Sequence, residues 1–360
     1  MANFFSDLMK GKYVDNQGVQ YGQLGKTLIE CTDCRIKKYA ISNGTETIGF
    51  GAFRDCQLLE EIIIPNSVTS IGEDAFSRCS KLTGVRIPGS VTSIGNGAFG
   101  GCEMLFEMLI PDSVTSIGTW AFGECRNLMK VVLPRSLAAI EAGVFCKCYR
   151  LSEIEIPHSV KRIGNNAFEN CGALKAISIP DSVETIGDGA FSNCKSLEHI
   201  SIPNSVVYIG HTAFEDCSNL KEITLPNSIR AINIMAFSCS GLERIVIPSS
   251  VKSIEHSAFW GCCSLKEIVI SGPVTSIEAE TFNSCYELER VTLPSSLMAI
   301  GRAAFRGCSS LREINIPASV THIYDKAFKN CMALREITIP KSTVVSDNAF
   351  DGCDISIRRI

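Results

Sequence analysis

A phrase of about 23 residues recurs from near residue 40 to the C-terminus, and it constrains the fold more than any other feature. One copy runs from Leu82 through Val85, Ile87, Pro88, Ser90, Val91, Ile94, Gly95, Ala98 and Phe99 to Cys102. Self-similarity at such a period marks a solenoid, in which each copy is one coil that buries its apolar face only against its neighbours. Fourteen phenylalanines form one file, from Phe53, Phe76 and Phe99 to Phe305, Phe328 and Phe350. A cysteine follows most of them three residues later. A proline file runs from Pro65 to Pro340, with a serine two residues after each member. The step shortens by one around Ser238–Ser240 and again around Thr343–Ser346. In the coil between Pro248 and Pro294, Ser271 takes the proline's place and Pro273 the serine's, and these irregularities predict a local bend between Ile234 and Pro273.

Within a copy, apolar residues alternate up to the proline, as in Leu59, Ile62 and Ile64, which is a strand pattern. Proline ends the strand because it has no N–H to give to a ladder. One strand per coil in the same sense requires parallel pairing across the stack. Val68–Ile71 is β-rich and reads as a second short strand. Ala, Phe and Cys at i, i+1 and i+4 then suit a single helical turn packing inward. The fold class expected is therefore α/β, a solenoid with a parallel sheet on one face and short strands and single helical turns on the other. Glycine often follows the isoleucine (Gly72, Gly95, Gly118), but Glu141 and Asn233 fill the same column, so the turn tolerates glycine without requiring a positive φ. The serine hydroxyls are expected to satisfy backbone groups at the turn between strands. Residues 1–39 read as an N-terminal cap, in which Val19–Tyr21 and Thr27–Ile29 flank Gly22–Lys26 as a hairpin. Residues 40–360 read as a solenoid of about 14 coils, with a last strand at Asp354–Arg359 as C-terminal cap.

The net charge of −4 is small and the basic residues are scattered, which argues against nucleic-acid binding. No apolar run is long enough to span a bilayer, so no membrane insertion is expected. The N-terminal Phe4–Lys10 segment lacks a basic start and a cleavage site, and Asp7 interrupts it. As it stands, the sequence points to the cytoplasm, or to the cell surface or secretion if a signal peptide was removed. Fourteen of the eighteen cysteines belong to the ladder, and only Cys31, Cys34, Cys146 and Cys263 lie outside it. Stacked coils put neighbouring ladder sulfurs within disulfide reach, yet a file of side chains pointing one way has poor geometry for pairing. The ladder is read as reduced structural thiols.

The phrase Ile-x-Ile-Pro-x-Ser-Val-x-x-Ile-Gly-x-x-Ala-Phe-x-x-Cys-x-x-Leu resembles the BspA-type leucine-rich repeat family, from about Ala40 to the end. The preceding Val19–Cys34 segment, with Leu24–Ile29 inside it, looks like the entry hairpin often found before such repeats. The resemblance implies a leucine-rich-repeat solenoid of a kind common in host-associated bacteria and some parasitic protists. Several members are surface proteins that bind host or matrix proteins, but so broad a family transfers no single ligand.

Catalytic constellations are absent from the sequence. His158, His199, His211, His256 and His322 fall in mostly unrelated columns, and Cys31-x-x-Cys34 has no second pair at zinc-finger distance. Gly95–Gly100 fits Gly-x-Gly-x-x-Gly only as a repeat turn, and Gly25-Lys26-Thr27 lacks the first P-loop glycine. No catalytic residue, metal ligand or cofactor is assigned, and no enzyme is expected. Function is left to the outward positions of the main sheet. There Ile63, Phe106, Leu109, Met129 and Val132 form an apolar group rimmed by Glu61, Glu107 and Lys130. The expected function is a non-enzymatic, monomeric scaffold that binds a protein through this face. The alternative is a secreted or cell-surface adhesin or antigen that binds host or matrix proteins.

Overall fold

The computed structural model describes residues 11–360, so Phe4–Lys10 and the start of the expected N-terminal cap lie outside it. The chain divides into two compact units, Met1–Leu174 and Lys175–Ile360. Each unit is a β-solenoid with parallel sheets. In the first, Lys38–Ala40, Glu61–Ile63 and Gly84–Val85 pair in parallel, as do Glu107–Leu109, Lys130–Val132 and Glu153–Ile154. Register follows the repeat: Glu107 faces Lys130 and Leu109 faces Val132. A second parallel sheet joins Thr27–Cys31, Thr47–Ile48, Ser70–Ile71, Ser93–Ile94 and Ser116–Ile117. The second unit repeats both sheets, with Arg244–Ile247, Glu267–Ile270 and Arg290–Thr292 in one and Ala231–Ile232 through Val344–Val345 in the other.

The α/β expectation is corrected at the Ala-Phe-x-x-Cys segment, which is a series of tight turns and not a helical turn. Among the described residues the only helix is the 3₁₀ turn Gln23–Gly25. The reason is visible in where the N–H groups point. Ala75, Ser77 and Cys79 donate three residues back, to Gly72, Asp74 and Phe76. Asp74, Phe76 and Arg78 instead donate to Asn96, Ala98 and Gly100 of the next coil, at 2.7–2.8 Å. Turning alternate N–H groups outward puts Asp74 and Arg78 in the left-handed region, at φ 54° and 59°. Each such residue costs roughly 1–2 kcal/mol, which the bonds to the next coil offset. Gly97 and Gly101 hold the same two places one repeat later.

Those turns carry the core. In the first unit the rings from Phe53 to Phe145 stack at centroid spacings of 5.2–5.9 Å. In the second, Phe191 to Phe350 stack at 5.2–5.5 Å. Beside most rings lies a thiol that donates to the phenylalanine carbonyl of the preceding coil: Cys79 to Phe53, Cys102 to Phe76 and Cys125 to Phe99, at 3.1–3.2 Å. Much of the serine file works in the same way, although the Ser205 and Ser250 hydroxyls are buried without a partner. Ser90, Ser113 and Ser159 each bond the carbonyl one coil back, at Val68, Val91 and Leu137.

The glycine column is a place of close approach, not of positive φ. A Cβ on Gly95 would lie 2.5 Å from the backbone nitrogen of Glu73, and one on Gly72 2.7 Å from the carbonyl oxygen of Ile48. Asn233 fits there because its side-chain amide bonds the Ile209 carbonyl, the group a glycine N–H takes in other coils.

Irregular repeats are absorbed locally. Across the stretch where a bend is expected, Phe237 and Phe259 stack at 5.5 Å with 8° between their planes, like their neighbours. The missing residue is taken up at Gly241, where a Cβ would meet the Ser218 carbonyl oxygen at 2.1 Å, and the displaced proline at Gly272, 2.0 Å from that of Val251. Ser240 occupies the ladder position and contacts the Cys262 thiol at 3.4 Å, while Cys239, counted with the ladder from sequence, sits in the left-handed column at φ 54°. At the second shortening Thr343 combines two positions: it is buried, as the valine would be, and bonds Val320 as the serine would.

At the N-terminal end, Val19–Gly22 and Thr27–Cys31 pair antiparallel. The ring stack is closed there by Tyr39, tilted against Phe53 at 5.6 Å. Its hydroxyl bonds Tyr21 at 2.6 Å and donates to Asp15, so two buried phenols are satisfied in an apolar setting. Burial, with these bonds second, raises the Tyr39 pKa. At the other end Ser356–Arg359 pairs in parallel with Glu336–Ile339 and exposes every side chain. The close approach at Gly241 yields a stability test. Gly241→Ala is expected to cost about 1–3 kcal/mol through overpacking. Gly84→Ala, whose Cβ meets nothing within 4 Å, should stay within about 0.5 kcal/mol of the parent, and urea denaturation of both variants checks the contrast.

Candidate functional site

Period-two alternation in the main sheet sends Ile62, Met108 and Val131 inward and their neighbours outward. Leu109 and Val132 are accordingly 59 and 44 % exposed, and Phe106, just ahead of its strand and outside the alternation, is 54 % exposed. Leu109 faces Val132 across the strand pair, and the Met129 N–H bonds the Phe106 carbonyl at 2.9 Å. Leu109 and Val132 therefore lie on two paired strands, and Phe106 and Met129 are adjacent on the segments that lead into them. Ile63 is exposed as well but stands apart, because the intervening coil puts Arg86 in its column. Glu61 is paired with Lys38 at 2.7 Å, two repeats from Glu107 and three from Lys130. Lys130 faces Glu107 in register and bridges to Glu153 at 3.3 Å.

The patch continues into a cleft of about 690 Å³ that sequence reasoning missed. Val131, Leu133, Ile154 and Ile156 contribute apolar lining, and Arg135, Glu155 and His158 add polar groups. His158 had no signal of its own in the sequence. It gains a setting only because the proline turns at Pro134 and Pro157 stack beside the strand ends.

Three sulfurs converge at the N-terminal end of the ladder. Cys34 and Cys56 form a disulfide with their Cα atoms 4.4 Å apart. The Cys31, Cys34 and Cys56 sulfurs all lie within 4.8 Å of one another. This corrects the reading of the whole ladder as free thiols. Cys56 is its first rung, and no phenylalanine-bearing coil precedes it to supply the usual carbonyl. A sequence signal existed: Cys34 precedes Cys56 by 22 residues, close to one repeat.

The family model for the BspA type leucine-rich repeat region (6 copies) matches residues 30–152, 139–263 and 235–357. The chain belongs to this BspA-type leucine-rich repeat family. Among solved structures, a leucine-rich repeat protein from Bacteroides ovatus is 28 % identical over 97 % of this chain and 90 % of its own, with a TM-score of 0.75. A leucine rich cell surface protein from Faecalibacterium prausnitzii is 24 % identical over 97 % of this chain and 94 % of its own, at a TM-score of 0.42. The T. pallidum leucine-rich repeat protein is 26 % identical over 58 % of this chain and 91 % of its own, at 0.43. No curated protein matches the chain. Among the described residues no helix is long and apolar enough to cross a membrane.

The buried cysteines of the BspA-type phrase are structural donors to carbonyls of the preceding coil. Burial pushes the Cys79, Cys125 and Cys262 thiols up to about 12, and only a thiolate attacks or ligates. Below about pH 8.5, where a free thiol begins to ionise, folded and unfolded chains both hold these protons and stability is at its full value. Above it the unfolded chain releases protons that the folded chain keeps, so stability falls by up to about 1.4 kcal/mol per pH unit for each thiol until the folded value is reached. Urea unfolding is expected to be level near neutrality and to weaken steeply above about pH 9. Cys125→Ala should flatten that decline, and a profile level into the alkaline range would contradict the assignment.

Proposed function

We propose that this BspA-type repeat protein is a non-enzymatic, monomeric scaffold that binds a protein partner through the outward face of its main sheet. The observation that carries this reading is a pair of exposed apolar residues, Leu109 and Val132, facing each other on two paired strands, with exposed Phe106 and half-buried Met129 adjacent at the strand entries. Contiguous exposed apolar surface rimmed by polar groups marks contact sites. Here the rim consists of Glu107, Lys130 and Glu153. A strand-borne patch needs no reordering on binding, so little of the contact energy is lost to entropy. The adjoining cleft with Arg135, Glu155 and His158 offers hydrogen-bonding and charged groups beside the apolar anchors.

The test uses Leu109→Asp with Val132→Asp, both at outward positions that leave the core untouched. A photo-crosslinking residue at Phe106 identifies the partner, and its affinity is then measured for parent and variant. The double variant is expected to keep its thermal stability and to lose affinity at least about tenfold, as for residues central to an interface. Unchanged affinity would refute the assignment of this face.

A further inference from the structure

Cys31, Cys34 and Cys56 form the one group of three or more His, Cys, Asp or Glu side chains among the described residues whose donor atoms converge closely enough to share an ion. They come from separate places: Cys31 from the end of a strand, Cys34 from the turn that follows, Cys56 from the first rung of the ladder. Cys31 and Cys56 are buried and Cys34 is half-buried, so the cluster is open to solvent on one side. None of the three has the ladder's usual partner. Cys31 donates weakly to the Asp33 carbonyl at 3.4 Å and Cys34 sits 3.9 Å from that of Arg54.

We propose that in the reduced chain Cys31, Cys34 and Cys56 bind one soft divalent cation, zinc being the model ion, as a three-thiolate site with an open fourth position. Zinc–thiolate bonds of about 2.3 Å put the sulfurs of a tetrahedral site about 3.8 Å apart, within the 4.8 Å these sulfurs already span. The donor set is all sulfur, which selects soft ions over calcium or magnesium. Asp15, Glu30 and Asp33 place negative charge around Cys31, which a bound cation offsets. The balance is simple. Two equivalents of an external thiol reduce the Cys34–Cys56 bond, giving two thiols and the external disulfide. The ion then displaces three protons as it takes up three thiolates.

The experiment reduces the folded full-length chain, removes the reductant without air, and titrates zinc against a chromophoric chelator. Cobalt is then used as a spectroscopic probe of thiolate ligation. One equivalent is expected to bind, with thiolate-to-cobalt absorption. Cys34→Ser, at a half-buried turn where folding is easily kept and is verified by thermal melting, should lose that binding. Cys263→Ser, an exposed thiol outside the cluster, should retain it. The proposal is overturned if the reduced parent takes up no stoichiometric metal, or if Cys34→Ser binds as the parent does. It is equally overturned if, once air is admitted as oxidant, the Cys34–Cys56 bond re-forms as readily with an equivalent of zinc as without it, which would make the cluster a disulfide site alone.

Discussion

Backbone hydrogen bonds from one coil to the next, made by every second residue of the Ala-Phe turn, are the constraint on which the other features rest. They fix the spacing at which rings stack, thiols find carbonyls and serines reach back across the repeat. A sheet on one face alone would leave the opposite side free to splay. Bonding the turn face in the same direction at the same interval closes each coil on both sides. The left-handed backbone at Asp74 and Arg78 is a consequence of that demand, and it explains why Gly, Asn and Asp crowd those columns without filling them. No coil could hold this arrangement alone, because the entropy of ordering it is met only when neighbours complete the burial.

Much of this was legible from residue files. Phe, Cys, Pro and Ser recur at fixed spacing, so their inward placement and the parallel pairing of equivalent strands followed from periodicity. The orientation of Leu109 and Val132 was readable too, because a strand alternates faces. The turn was misread because Ala, Phe and Cys at i, i+1 and i+4 suit a helical turn and a chain of β-turns equally well. What separates them is the destination of the N–H groups, and side-chain spacing does not encode it. The glycine column was rightly read as not demanding positive φ, but the reason for its glycines was not legible. Its constraint comes from the coil behind, while positive φ falls two residues later, where side chains vary.

The apolar group was read as one cluster of five, and its column order already showed the flaw. Arg86 lies between Ile63 and Leu109, so Ile63 stands apart from the adjacent pairs Leu109–Val132 and Phe106–Met129. The cleft next to Val132 could not be read, since it depends on how two proline turns stack. The disulfide was hidden by treating Cys34 as half of a Cys-x-x-Cys pair. Counted by the repeat, Cys34 lies about one coil before Cys56 and belongs beside it. Repeated residues thus specify the family fold, and departures from the phrase locate what is individual to this chain.

The most direct measurement compares two phenylalanines seven residues apart in one coil. Phe99 is buried between Phe76 and Phe122, whereas Phe106 is more than half exposed on the sheet. Urea denaturation of Phe99→Ala should show a loss of about 3–5 kcal/mol, and Phe106→Ala a change within about 0.5 kcal/mol. Equal small effects at both positions would contradict the claim that a stacked aromatic file, held by coil-to-coil bonding, is the interior of this protein.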